Sequence, residues 1–195
     1  MVYTCKPKKI AIYVNTGRKT AAQIKDETGC TALINGGLFN MSTFKPVCHL
    51  KVDGQVLAKD QWKYWGYGWD DCSFPVLAED YTKLDNYICC VCMVRNGKPD
   101  TMYYDPAVGG RRQRTAIGTF ADGRVWLYAD ASNKTPEELR DIALKAGVKD
   151  AVMLDGGGST QCIFPNGKIN SVRKVHNYIC VWEGDTVCPH CGKVI

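Results

Sequence analysis

The feature that most narrows the fold is a recurring punctuation, in which short β-prone runs are broken by a polar residue and a glycine. Asp53-Gly54 separates residues 49–52 from 55–58, and Asn96-Gly97-Lys98 separates 87–95 from 101–104. Asp122-Gly123 separates 115–120 from 124–129, and Pro165-Asn166-Gly167 separates 161–164 from 169–171. Asn-Gly and Asp-Gly pairs accept the left-handed backbone of tight hairpin turns, so each pair of flanking runs is expected to fold back antiparallel. Strands are also expected over 10–15, 30–34, 150–154 and 176–182.

Helices are few. Residues 19–28 read as a short helix stopped by Gly29. The clearer one starts at Thr135, with Pro136 in the first turn and Glu138 completing a capping box. Leu139, Ile142, Ala143 and Ala146 form its apolar face, and Gly147 ends it. The aromatic and glycine-rich stretch 62–69 reads as a loop, its rings either paving a sugar site or packing over a core edge. Many hairpins and about two helices define an α+β class, with mixed or antiparallel sheets in a single domain spanning 1–183. Residues 184–195 form a short cysteine-containing tail.

Composition excludes several classes. The chain has 195 residues, enough for one well-buried core, with ordinary hydrophobic (45%) and charged (23%) fractions. Its longest apolar runs fall far short of the ~18 residues that a membrane-spanning helix needs. The first residues carry lysines but no following apolar core of a secretion signal, so the expected location is cytoplasmic, or the host cytoplasm or virion if the gene belongs to a phage. A net charge of +5 suits an anionic small molecule without requiring nucleic acid. The one dense basic cluster, 111–114, reads first as a solvated turn. Oligomeric state leaves no trace in the sequence.

Eleven cysteines cannot all pair within one chain. Cys30, Cys48, Cys89, Cys162 and Cys180 lie in apolar runs and read as reduced core residues. Cys188 and Cys191, in Cys-Pro-His-Cys-Gly-Lys, have the spacing of a zinc knuckle. That pair supplies only two of about four ligands. Cys89 and Cys92 would point to opposite strand faces unless a bulge intervened, so a structural zinc and an unmetallated tail both stand as readings.

The chemistry concentrates at strand ends. The apolar run 151–154 delivers Asp155, followed by Gly156, Gly157, Gly158, Ser159 and Thr160. A carboxylate, free backbone amides and hydroxyls there can hold an anion, whereas the plain alternative is a glycine turn capped by Asp155. No GK[ST] follows at Walker spacing. Asn35, Gly36 and Gly37 end a second strand in the same way, an Asn-Gly turn being the alternative. Arg114 opens the run Arg-Thr-Ala-Ile-Gly, and Arg173, His176 and Asn177 open the last strand. Either arginine can fork onto a phosphate.

These four segments, in this order, resemble the catalytic domain of the phosphodiester glycosidase family, over residues of about 10–182. Short versions without a leader resemble those of bacteria and phages. Leu38 and His176 depart from the family pattern, which has an aromatic residue and a small one there. The resemblance implies hydrolysis of a sugar-1-phosphodiester, with an N-acetylglucosamine-like sugar, to free sugar and a phosphomonoester. It implies no cofactor for catalysis. Asp155 would activate water or stabilise the oxocarbenium-like centre, and Arg114 and Arg173 would hold the phosphate. His176, with Asp130 as a rival, would be a second acid or base. Asn35, Asn177 and the glycines would line the substrate, a small molecule or glycan bearing a sugar phosphate. The rival readings are a sugar-binding module of a phage or envelope assembly, without chemistry, and a zinc-stabilised interaction protein.

Overall fold

The computed structural model describes residues 1–59, 65–70 and 73–184. Strands β1 (Val2–Cys5) and β2 (Pro7–Val14) precede helix α1 (Ala21–Thr28). Then come β3 (Ala32–Asn35), β4 (Phe39–Asn40), β5 (Lys45–Pro46), β6 (Leu50–Val52) and β7 (Gln55–Ala58). β8 (Gly66–Trp69), β9 (Val76–Ala78), β10 (Asn86–Cys89), β11 (Val91–Arg95) and β12 (Lys98–Pro99) follow. β13 (Arg112–Thr119) and β14 (Val125–Lys134) lead into α2 (Pro136–Lys145) and β15 (Asp150–Met153). The chain closes with β16 (Cys162–Phe164), β17 (Gly167–Ile169) and β18 (Asn177–Glu183).

Among the described residues, every strand pairing is antiparallel. The α+β expectation therefore holds in its antiparallel form. A six-stranded sheet runs β1-β14-β13-β15-β11-β12, and two five-stranded sheets run β17-β16-β3-β18-β2 and β7-β6-β10-β8-β9. Strict alternation decides which residues meet. Val125, Leu127 and Ala129 of β14, Ile117 of β13 and Val152 of β15 face the central core. Their neighbours Trp126, Tyr128, Ala116, Ala151 and Met153 face α2. On β18, Ile179 and Val181 join the central core, while Tyr178 and Cys180 pack towards Ala21 and Ile24 of α1. Each helix thus covers the outer face of one sheet, and the sheets share what lies between.

The caps follow from the sequence. Thr20 and Thr135 each open a helix with a complete capping box, closed by Gln23 and Glu138. Gly29 ends α1 in the left-handed conformation, at φ 62°.

The structure departs from expectation in three places. Residues 66–69 form a strand, and Tyr67 and Trp69 are core residues. The Tyr67 hydroxyl donates to the carbonyl of Asp150, and the Trp69 indole donates to that of Ile10. Those rings tie one sheet to the other two and face no ligand; residues 62–64 lie outside the described residues. The expected strand 87–95 breaks at Cys90, so β10 and β11 enter different sheets. Its expected return strand, 101–104, is replaced by the short β12. Finally, β1 pairs with β14 along the edge of the large sheet, where the sequence offered no strand signal.

Of the eight described cysteines, Cys30, Cys89, Cys162 and Cys180 are buried, as expected of core residues, whereas Cys48 is partly exposed. Cys89 and Cys92 sit on either side of the break at Cys90, in separate sheets. No cluster of three metal-binding side chains occurs among the described residues, and Cys188 and Cys191 lie outside them. No helix among the described residues is long and apolar enough to cross a membrane.

Candidate active site

The site lies where the end of β15 meets the end of β3. The ladder of the large sheet continues for one residue, through Leu154 N–H to the Thr115 carbonyl at 2.9 Å. Then the chain crosses over: Asp155 N–H donates to the Gly36 carbonyl at 3.1 Å. Asn35 locks this junction. Its amide nitrogen donates to the Asp155 carbonyl (2.8 Å) and to Thr115 Oγ1 (3.1 Å), while its oxygen accepts from Gln161 N–H (3.1 Å). The Thr115 hydroxyl also donates to the Asp155 carbonyl, at 2.7 Å. Asn35 is fully buried, so its side chain is a structural pin between sheets, with no donor left for a sugar.

Asn177 works beside it. The backbone carbonyl of Asn177 accepts from Gly36 N–H, and its side-chain oxygen accepts from Gly37 N–H, both at 2.9 Å. A Cβ at position 36 would stand 1.8 Å from that side-chain oxygen, so only glycine permits the approach. Residues 36–37 and 177 are therefore one interlocked wall.

Past Asp155 the chain makes a short 3-10 turn, Gly157–Ser159. Gly156 passes so close to the Gln113 carbonyl that a Cβ would lie 2.5 Å from it, and Gly157 takes φ 59°. The Gly156 amide is committed to Asp155 Oδ1, at 2.9 Å. The amides of Gly157 and Gly158 have no acceptor among the described residues and are the ones available to an anion. Arg173 lies across this turn, with its guanidinium 2.7 Å from where a Gly158 Cβ would be. It donates to Ser159 Oγ at 3.1 Å, and the Ser159 side chain in turn favours the charged form of Asp155.

Burial raises the Asp155 carboxyl from the ordinary carboxylate range to about 6, against the opposing pull of Ser159, the Gly156 amide, Arg173 and Arg112. A carboxyl tuned to that value can exchange a proton near neutral pH.

The expected arginine pair is rearranged. Arg114 is 1% exposed, and its guanidinium donates to the carbonyls of Lys134, Val108 and Gly110 and touches the Met153 sulfur. Its guanidinium clamps the 108–110 loop from inside, and only its Cδ lies beside the glycine turn, near Gly156. Arg112 takes the outward position. Pairing of β13 with β14 is interrupted between them, Arg114 facing Asp130 but Arg112 facing Lys134. Across such a break, residues two apart need not share a face. The Arg112 side chain runs beside Gly157, and its buried Nε has no partner among the described residues. A buried, unpaired guanidinium donor calls for an anion. Thr160 Oγ1 is likewise buried without a partner. The sequence held a signal for Arg112 in the basic cluster, but not one that separated it from its neighbours.

Asp130, the rival acid or base, is not free. Although burial opposes ionisation, hydrogen bonds from Ser132, Tyr128 and Lys134 hold it down at about 2. Away from this junction, at the Asp150 end of β15, a separate cavity of about 300 Å³ is lined by Trp65, Phe74, Phe120, Arg95 and Lys149.

An antiparallel fold of three large sheets and one small one, with a glycine-turn carboxyl flanked by arginines, defines a class. Residues 28–182 match the family model of the phosphodiester glycosidases, and the chain belongs to that family. Its structure is similar to the catalytic domain of zebrafish N-acetylglucosamine-1-phosphodiester alpha-N-acetylglucosaminidase, auto-inhibited by its pro-peptide. The TM-score is 0.72 at 15% identity, over 90% of this chain and 73% of that one. A hypothetical protein from Synechocystis gives 0.76 at 12% identity, and a Burkholderia pseudomallei protein gives 0.67 at 12%. The chain covers 92% of its own length but 58% of the Synechocystis protein, and 93% against 73% for the Burkholderia protein. None of the curated proteins matches the sequence.

Proposed function

We propose that this chain hydrolyses a sugar-1-phosphodiester, releasing free sugar and a phosphomonoester. The observation that carries the reading is the Asp155 carboxyl, raised to about 6 and set between two arginines and two free glycine amides. Arg173 and Arg112, with the amides of Gly157 and Gly158, would hold the phosphate oxygens and offset the charge that grows as the phosphate leaves. Asp155 would take a proton from the water that attacks the anomeric carbon, as the bond from that carbon to the phosphate oxygen breaks. The departing monoester is already a stable anion near neutral pH, so the step needs no strong acid on the leaving side. Asn35, Gly36, Gly37 and Asn177 would fix the wall against which the sugar lies, and Arg114 would support it from behind. An N-acetylglucosamine-like sugar is the expected substrate sugar.

The test is turnover of a nitrophenyl sugar phosphodiester by wild type and Asp155→Asn. Release of free sugar that collapses in the variant supports the reading. Saturable binding without product in the wild type would replace it with a binding module.

A further inference from the structure

Both ring nitrogens of His176 have their roles decided by neighbours. The Gly37 N–H meets one end of the Asn177 side-chain amide at 2.9 Å. An N–H needs an acceptor, so that end is the oxygen. The other end, Nδ2, lies 3.1 Å from His176 Nδ1. An amide nitrogen only donates, so Nδ1 must accept and the ring proton must sit on Nε2. Nε2–H has no acceptor among the described residues, and the residue as a whole is 7% exposed.

The ring is also fixed in place. The Asn15 N–H donates to the His176 carbonyl at 2.7 Å. The Phe44 ring lies 5.8 Å from the imidazole, tilted by 57°. Phe44 holds φ 57°, which is unfavourable for a large side chain, and Arg18 lies over its ring at 4.4 Å. Burial lowers the pKa of His176 from its ordinary value. The charged group on that side, Arg18, is stacked on Phe44, and Asn177 on the other side is neutral.

We infer that His176 is a neutral donor, locked in one tautomer, that selects an uncharged acceptor oxygen on the sugar side of the substrate. The inference rests on the glycosidase reading of the site and assigns His176 a positioning and specificity role rather than proton transfer. Arg112 and Arg173 flank the Asp155 turn, where the phosphate is assigned. His176 is reached from that turn only through Gly36, Gly37 and Asn177, and there a neutral donor suits a ring hydroxyl or carbonyl better than a phosphate.

Nitrogen-detected spectra of the ¹⁵N-labelled whole protein test the lock without any substrate. One protonated nitrogen, Nε2, is expected at neutral pH, with the second proton binding only below the ordinary imidazole range. Asn177→Asp places a second acceptor against Nδ1, and His176 should then bind a second proton at neutral pH. A proton on Nδ1, or a doubly protonated ring in the wild type at neutral pH, would overturn the lock.

The second arm is kinetic. With the nitrophenyl sugar phosphodiester, His176→Ala should raise KM about 10-fold and change kcat less than about 3-fold. His176→Gln, which can return an N–H near the Nε2 position, should restore most of the affinity. The acidic limb of the pH profile should stay in place in both variants. A kcat loss above about 100-fold in both, or a lost limb, would make His176 an acid or base and overturn the assignment. A wild type that turns over no sugar phosphodiester would remove the glycosidase reading and the sugar contact with it, while the spectra still judge the lock.

Discussion

The two strand ends that meet at the site share a pattern and do opposite things. Each presents a polar residue followed by consecutive glycines. At Asn35-Gly36-Gly37 the polar side chain turns inward and joins sheets, and the glycine makes room for another protein atom, the Asn177 side-chain oxygen. At Asp155 the backbone does the joining, through Gly36, and the carboxyl is left to Ser159 and the Gly156 amide. Two of the glycine amides that follow have no acceptor among the described residues. The difference teaches that glycine after a strand signals close approach, but not whether the approaching atom belongs to the protein or to a ligand. One end is architecture and the other is equipped for chemistry.

Substitutions at the two polar residues should separate most sharply. Asp155→Asn should lower kcat about 1,000-fold with the fold intact, measured by sugar release and thermal melting. Asn35→Ala should instead unfold first. It leaves the buried Gln161 N–H and the Asp155 carbonyl short of partners, at a cost of about 3 kcal/mol in denaturant titration. Equal losses of activity at unchanged stability in the two variants would erase the distinction.

The arginines extend the same contrast. Arg112→Met should raise KM about 10-fold or more, since its Nε has no partner to lose among the described residues. Arg114→Met should cost on the order of 2 kcal/mol of stability, because the carbonyls of Lys134, Val108 and Gly110 lose their donor. Stability loss for Arg112 and affinity loss for Arg114 would reverse their assignments.

Acid dependence tests the carboxyl itself. Asp155 titrates at about 6 in the folded chain, above its ordinary value of 3.8. Between those values the native state keeps a proton that the unfolded chain releases. Stability should therefore fall as pH rises through that window, by about 3 kcal/mol, and then level off. Asp155→Asn should flatten that slope and be the more stable protein above about pH 6. Activity, if Asp155 is the base, should rise over the same window in which stability falls. Coincident slopes in wild type and variant would remove the strained carboxyl.

The smallest effects belong to the glycines. Gly36→Ala meets the Asn177 oxygen and should cost about 2 kcal/mol. Gly157→Ala, at φ 59° with only the Arg112 side chain nearby, should cost about 1 kcal/mol while weakening substrate binding more.

Much of this protein is written locally. The Asp-Gly and Asn-Gly turns, the Thr20 and Thr135 caps and the alternation along β13, β14 and β18 depend on neighbours a few residues away, so the sequence alone determines the α+β class and most element positions. The strand-end motifs likewise mark the site, and four of them together mark the family. Roles within the site are another matter. Arg112 and Arg114 look alike in sequence; an interrupted strand pairing buries one and frees the other. Asn35 and Asp155 look alike as strand ends, and contacts across 120 residues of chain make one a pin and tune the other. The Asn177 amide that meets the His176 ring is oriented by Gly37, 140 residues before Asn177 in the chain. Burial and hydrogen-bond partners fix these roles, and both exist only once distant strands are packed together.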